Sequence, residues 1–443
     1  MGGERRRGGL GPAIPIAPAA RVDKFEVFFD LIFVVSFFII TRATATNVGG
    51  RNLLHAMLVI GVLWWCWVVH SVVASRLRLG EGFVPALMVI GMIALFTFAL
   101  ALPQTFGDGG GRPGGPVLVT VSYVVFRGMH LVLYAHATRG QPVARRQLSR
   151  LLPEAVITAA LLLLAALLPI HISDPNLALW VRDGLWIAVV VIQYGSGFLV
   201  GPGGWEITSA EHWTERYDLI LIIALGESVI SIGVGGNLLG KPVTWPAVVA
   251  AMLGILFTAA LWWAHFDMIG PAARIALHAA QGAPRVTMAR DAWAYLYLPM
   301  IAGVILFAIG AEELVATIVD PVGGLAERGR DSSVPLLFGG VMIYLATDLA
   351  FQLRTLGTVA WTRVGTLVAL AAGLFAARPL PALAALTLLT VICVALAVVE
   401  VVVFADARDA LRRAVHEEKV SHETSEAAFR ARWHNGGPTQ PTQ

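Results

Sequence analysis

Twelve stretches of about 18 to 25 mostly apolar residues, separated by short polar breaks, divide this chain of 443 residues, and a run of that length crosses the hydrocarbon core of a bilayer as a helix. They fall near 26–46, 52–75, 83–102, 116–138, 153–171, 178–200, 216–236, 244–268, 291–313, 334–354, 360–377 and 380–404. Charged residues make up 14% of the chain, against about 25% in an ordinary soluble domain, and hydrophobic residues 57%. Those values exclude intrinsic disorder, a coiled coil and a disulfide scaffold, and they argue against a water-soluble enzyme. The expected fold is all-α, a polytopic transmembrane bundle of about twelve spans.

The basic residues give an orientation. With the N-terminus in the cytoplasm, twenty-three of the 32 Lys and Arg fall in inside segments and eight in outside ones, with Arg127 mid-span. Both termini are therefore expected inside. The stretch 1–24, with Arg5, Arg6 and Arg7 followed by Pro12, Pro15 and Pro18, reads as a flexible cytoplasmic tail, because the prolines break any signal-peptide core. A second tail, 405–443, carries mixed charge. Cys66 and Cys393 each lie in an apolar run and read as buried small groups.

The spans repeat. Leu63–Arg76 reads LWWCWVVHSVVASR and Leu261–Arg274 reads LWWAHFDMIGPAAR. The same shift sets Asp30 beside Glu227, and a larger one matches FVPALMVIGM from Phe83 with YLPMIAGVIL from Tyr297, which puts an insertion before span nine. The expected organisation is two six-span halves, 25–203 and 204–404, of parallel topology.

A charge at bilayer depth costs roughly 2.5–3.5 kcal/mol on insertion scales, so each one needs a reason. Glu26 and Asp30 share one face of span one. Tyr123, Arg127, His130 and Tyr134 form a polar stripe on span four, and span seven holds Asp218 and Glu227 with Ser228 and Ser231 beside them. Span ten holds Tyr344, Asp348 and Gln352, and span eight ends with His265 and Asp267. Arg127 stays charged and needs a carboxylate, and Asp30 and Glu227 lie nearest in depth. Two readings stay open. One is a structural ion pair joining spans one, four and seven. The other is a solvated cavity where Asp30 or Glu227 binds a proton, a cation or a substrate amine. His130 reads as a proton relay or as a neutral hydrogen-bonded ring. Asp267, Asp291, Glu312 and Glu313 lie near span ends and read as solvated. Trp180, Trp205, Trp213 and Trp245 read as interface anchors. Gly195, Gly197 and Gly201 read as close helix packing.

Other chemistries find no support. Gly235–Lys241, GGNLLGK, approaches a phosphate-binding loop, but Pro242 stands where the magnesium-holding hydroxyl belongs. There is no metalloprotease HExxH, no nucleophile elbow, no voltage-sensor arginine run and no basic-aromatic nucleic-acid patch. No metal site or cofactor is expected. The expected partners are the lipid bilayer and a small solute or ion, without nucleic acid.

Two segments carry a resemblance. Phe25–Phe37 reads FEVFFDLIFVVSF and Glu215–Gly233 reads ERYDLILIIALGESVISIG. In order and spacing they resemble the bacterial low temperature requirement protein A family, with its ELFFDLVFV-like start and later ERY-LFVIIALGES-like segment. Val27 and Asp218 depart from that pattern. The matching positions are Glu26, Phe29, Asp30, Glu215, Arg216, Tyr217, Gly226, Glu227 and Ser228. The resemblance implies a multi-pass protein of the bacterial inner membrane and defines no reaction, substrate or cofactor. A secondary transporter or ion-conducting protein is the favoured function, with Asp30 and Glu227 as site carboxylates, Arg127 as counter-charge, and Tyr123, His130 and Tyr134 along the path. An intramembrane enzyme acting on lipids, for example with His265 and Asp267, or a membrane-adaptation protein that transports nothing, are the alternatives.

Overall fold

The computed structural model describes residues 22–77, 82–106, 114–139, 142–199, 207, 209–235, 244–319, 325–417, 420 and 424. Residues 1–21, 107–113, Gly201, Trp205, the GGNLLGK segment beyond Gly235, Pro321–Gly324 and most of the chain after 417 lie outside the described residues.

The described residues fold into helices with no strand. Asp23 starts the first of them by accepting a hydrogen bond from the Phe25 backbone N–H. This is α1 (Lys24–Ala45), followed by α2 (Gly50–Ala74), α3 (Val84–Phe106), α4 (Gly114–Ala137), α5 (Pro142–Leu167) and α6 (Pro175–Leu199). The second series is α7 (Ala210–Gly235), α8 (Trp245–Phe266), α9 (Ile269–Ala279), α10 (Gly282–Met288), a wider π-helical segment (Ala289–Leu296), α11 (Tyr297–Val319), α12 (Leu325–Leu356), α13 (Trp361–Ala377) and α14 (Ala382–Val403). Each of the twelve apolar stretches falls on a helix. Ten helical segments among the described residues are long and apolar enough to cross a membrane; α7 and the 17-residue α13 cover the other two stretches. Between the eighth and ninth apolar stretches lie the short helices α9 and α10.

Neighbours recur in order. In the first series α3 packs on α1 and α4, α5 on α4 and α6, and α6 on α2; in the second, α11 packs on α7 and α12, α13 on α12 and α14, and α14 on α8. Between the series, α1 lies against α7 and α11. With no hydrophobic drive between helices in lipid, close approach rests on small residues. At the α11–α12 crossing a Cβ on Gly340 would meet the Gly303 carbonyl oxygen at 2.5 Å, and one on Gly310 would meet the Leu337 nitrogen at 2.7 Å.

The core reverses nothing about apolar preference; it collects the polar groups. Asp30, Glu227, His265 and Asp348 are fully buried, whereas Val191, Phe375 and Val402 stand on the outer surface. Trp180 and Trp245 are exposed, as interface anchors would be, but Trp213 is buried against the Tyr217 ring, so the anchor expectation fails there. Of the glycines at the end of α6, Gly197 is held tightly by Tyr295 and Trp65 while Gly195 has open space. Cys66 and Cys393 are buried and free.

Candidate functional site

Three separate polar clusters replace the single constellation that depth alone suggested.

The first joins the two sequence motifs. Glu26 and Asp30 are four apart on α1 and so face α7 together. Arg216 of α7 reaches both: Nη1 donates to Glu26 Oε2 at 2.7 Å and Nη2 to Asp30 Oδ1 at 3.0 Å. His212, one turn earlier, brings Nε2 to 2.9 Å from Glu26 Oε2. Trp67 of α2 donates to Asp30 Oδ1 at 3.1 Å and lies under the Arg216 guanidinium at 5.5 Å. The fork of a guanidinium suits two carboxylates in a way an ammonium does not. Tyr217 packs edge-on to Trp67, and Phe29 stacks on His70 at 3.9 Å. Glu215 accepts from the Val22 backbone N–H at 3.1 Å, which fixes the start of α1 against α7. Nothing in the structure explains glycine at Gly226, which has open space around it.

The second cluster corrects the expectation for Arg127. Its partner is neither Asp30 nor Glu227 but Glu154 of α5, through Nη2 and Oε2. Both side chains are 3% exposed. Thr158 Oγ1 lies 3.2 Å from Glu154 Oε1, and Gln193 of α6 donates to the Tyr123 hydroxyl at 3.1 Å. The stripe on α4 therefore fans out instead of lining one path. Tyr123 faces α6, Arg127 faces α5, and the Tyr134 ring meets Arg76 at 5.6 Å. His130 faces α2: Nδ1 lies 2.9 Å from the Phe126 carbonyl oxygen and Nε2 3.2 Å from His70 Nδ1. A carbonyl only accepts, so His130 holds its proton on Nδ1 and His70 donates to it.

The third cluster centres on Glu227. Ser231 donates to its Oε1 at 2.5 Å, and its Oε2 has no hydrogen-bond partner. Thr41 of α1 and Glu312 of α11 are its polar neighbours. Glu312, expected to be solvated, is instead buried and bound to Arg42 at 2.6 Å. Ser228 turns away and lies 3.4 Å from Thr258 of α8, outside this cluster. Glu227 follows Arg216 by eleven residues, about 16 Å along a helix at 1.5 Å per residue, so Asp30 and Glu227 do not share a site.

Sequence reasoning did not single out Glu154, Asp183, Arg363 or Glu400. Asp183 binds Arg51 at 2.8 Å and lies 3.0 Å from His55 Nε2. Arg363 of α13 is buried and binds both Asp348 of α12 and Glu400 of α14. Glu400 alone in an apolar run was the signal available. His265 and Asp267 are not partners: His265 Nδ1 lies 2.7 Å from Asp348, and Asp267 pairs with Arg408 at 2.6 Å and is little exposed. Among the described residues no group of three or more His, Cys, Asp or Glu side chains is placed to hold a metal ion.

Two comparisons with known proteins bear on the chain. The sequence profile of the bacterial low temperature requirement A protein (LtrA) matches residues 21–398. An uncharacterized protein of Rhizobium meliloti (strain 1021), RA0937, is 27% identical over 298 residues, which is 65% of this chain and 68% of that protein.

Proposed function

The chain belongs to the bacterial low temperature requirement A family, and from that premise we propose that it is a secondary transporter or ion-conducting protein whose exchanging carboxyl is Glu227. One observation carries the reading: Glu227 is a fully buried carboxyl with one oxygen unpartnered, on the helices that join the two series. A carboxyl in such a place is neutralised by a proton or by a bound cation. Ser231 and Thr41 offer hydroxyl oxygens to that cation. Ion pairs flank the position along α1 and α7: Arg216 with Glu26 and Asp30 on one side, Arg42 with Glu312 on the other. Opening one pair at a time would expose Glu227 to one side of the membrane at a time.

Twelve spans with cytoplasmic termini, in a bacterial inner membrane, go with this reading, as do parallel halves at 25–203 and 204–404. The neighbour order supports the halves, and so do residue correspondences. Tyr123 and Arg127 of α4 match Tyr344 and Asp348 of α12 at one shift. Glu154 of α5 matches Arg363 of α13, so the same ion pair recurs with its charges exchanged. Phe29-Asp30-Leu31-Ile32 then matches Tyr217-Asp218-Leu219-Ile220, which makes Asp218, not Glu227, the counterpart of Asp30.

The test is flux of protons and monovalent cations into proteoliposomes. Wild type should carry flux, and a folded Glu227→Gln protein should carry none. Equal flux in both proteins would remove Glu227 from the mechanism. No flux in either, under every ion gradient, would remove ion transport.

A further inference from the structure

A chain of hydrogen bonds in the second series runs from a partly exposed carboxyl to a fully buried imidazole. The Tyr297 hydroxyl of α11 donates to Asp218 Oδ1 of α7 at 3.3 Å, and the same oxygen lies 3.0 Å from His265 Nε2 of α8. His265 Nδ1 lies 2.7 Å from Asp348 Oδ1 of α12. Beyond it, Arg363 joins Asp348 to Glu400, with Nε 2.8 Å from Glu400 Oε1. We propose that Asp218, Tyr297 and His265 form a proton-holding relay, a site whose ligand is a proton taken up at Asp218 and stored on His265.

Three arguments support it. First, Asp348 is bound to the Arg363 guanidinium, so it is ionised and can only accept. His265 therefore keeps a proton on Nδ1, and Nε2 is free to gain or lose one. Second, the buried charges do not balance. Asp348 and Glu400 share one guanidinium, which leaves one negative charge uncompensated in a place where charge is costly. An imidazolium at His265 supplies the missing positive charge, held by a carboxylate as in a catalytic Asp–His pair. Arg274 and Glu215 face Asp218 with opposite charges, and the Tyr344 hydroxyl near Asp348 is occupied by the Leu261 carbonyl. Third, Phe351, Phe266 and Gly270 wall the imidazole and leave the Tyr297 hydroxyl on its Nε2 side.

The step balances without a co-reactant. With the proton at Asp218, its O–H donates to the Tyr297 oxygen and the Tyr297 O–H donates to Nε2. On transfer the Asp218 O–H bond breaks as a new O–H forms on Tyr297. The old Tyr297 O–H breaks as N–H forms at Nε2. Asp218 ends as carboxylate, Tyr297 neutral and His265 as imidazolium, which is the arrangement in which Tyr297 donates to Asp218. The site stands independently of Glu227 and of transport.

The experiment is a pH titration of the purified full-length protein, labelled with nitrogen-15 at histidine, with the His265 signal assigned by His265→Gln. The expected result is an Nδ1–H at every pH and a pH response at Nε2. Asp218→Asn and Tyr297→Phe, both nearly isosteric, should each abolish that response while the other histidines titrate as before. A response unchanged by both substitutions, or no response in the parent, overturns the relay. If a variant misfolds, infrared difference spectra of the parent on acidification decide: imidazolium bands should grow without a protonated-carboxyl band, because the stored proton rests on His265, and growth of a carboxyl band in place of the imidazolium bands overturns the proposal.

Discussion

Replacing Glu154 by glutamine leaves the Arg127 guanidinium buried with no counter-charge, since arginine does not deprotonate in a protein. Removing one partner from a buried pair costs about 3–5 kcal/mol, or roughly 150- to 5,000-fold in the folded-to-unfolded ratio. Both side chains are 3% exposed, so solvent does little to relieve the loss. The exchanged pair, Arg127→Glu with Glu154→Arg, should recover most of it. The second series already holds that arrangement, with the acid on α12 as Asp348 and the base on α13 as Arg363. The exchange forfeits the Thr158 hydroxyl contact to the Glu154 carboxylate, a loss of about 1 kcal/mol. The assay is thermal and denaturant unfolding in detergent, followed by the monodisperse fraction, for the parent, both single variants and the exchange. A double-mutant cycle should give a favourable interaction of about 2 kcal/mol or more. A Glu154→Gln protein that unfolds with the parent would refute the assignment of this pair as the reason for two charges at that depth.

Three further outcomes are expected. Gly340→Val should cost at least about 1–3 kcal/mol and lower the yield of folded protein, because its side chain would meet the Gly303 backbone, whereas Gly339→Ala, with open space, should melt with the parent. Arg216→Ala should destabilise more than Asp30→Asn in the same melting assay, because it strands two carboxylates; Arg216→Lys should rescue little, since an ammonium lacks the fork that reaches both. Arg408→Ala should loosen the helical stretch after α14, leaving only the exposed Arg412 at 3.4 Å to hold it to Asp267, read as faster cleavage near residues 408–413 under limited proteolysis.

Helix positions were legible because the bilayer imposes one length on every span, and that length shows directly in the apolar runs. Neither partner choice nor side-chain direction follows from depth. Arg127 and Asp30 are both buried within their spans, yet α4 turns its arginine to α5, and α1 turns its aspartate to α7. The two motif segments were recognisable as strings, but their reason is spatial: Arg216 of one is the counter-charge for Glu26 and Asp30 of the other. Arg363 gave no signal because it stands only two residues into the short α13, where a cation is ordinarily solvated. Glu312 read as solvated because it lies two turns from its helix end, while the chain folds Arg42 over it. Ser228 shares a sequence with Glu227 but not a face, since neighbours on a helix diverge by about 100°.

The central claim is that Glu227 lies where solvent reaches it from either side of the membrane in turn. Both native cysteines are buried and free, so replacing them leaves a background for a single reporter at Ser231, whose hydroxyl touches the Glu227 carboxylate. The measurement is reaction of Ser231→Cys with a membrane-impermeant thiol reagent, added to each side of sealed vesicles under opposed ion gradients. The account predicts labelling from one side under one gradient and from the other side when the gradient is reversed. A thiol that stays unreactive from both sides under every gradient would contradict it and would make Glu227 a packed structural group.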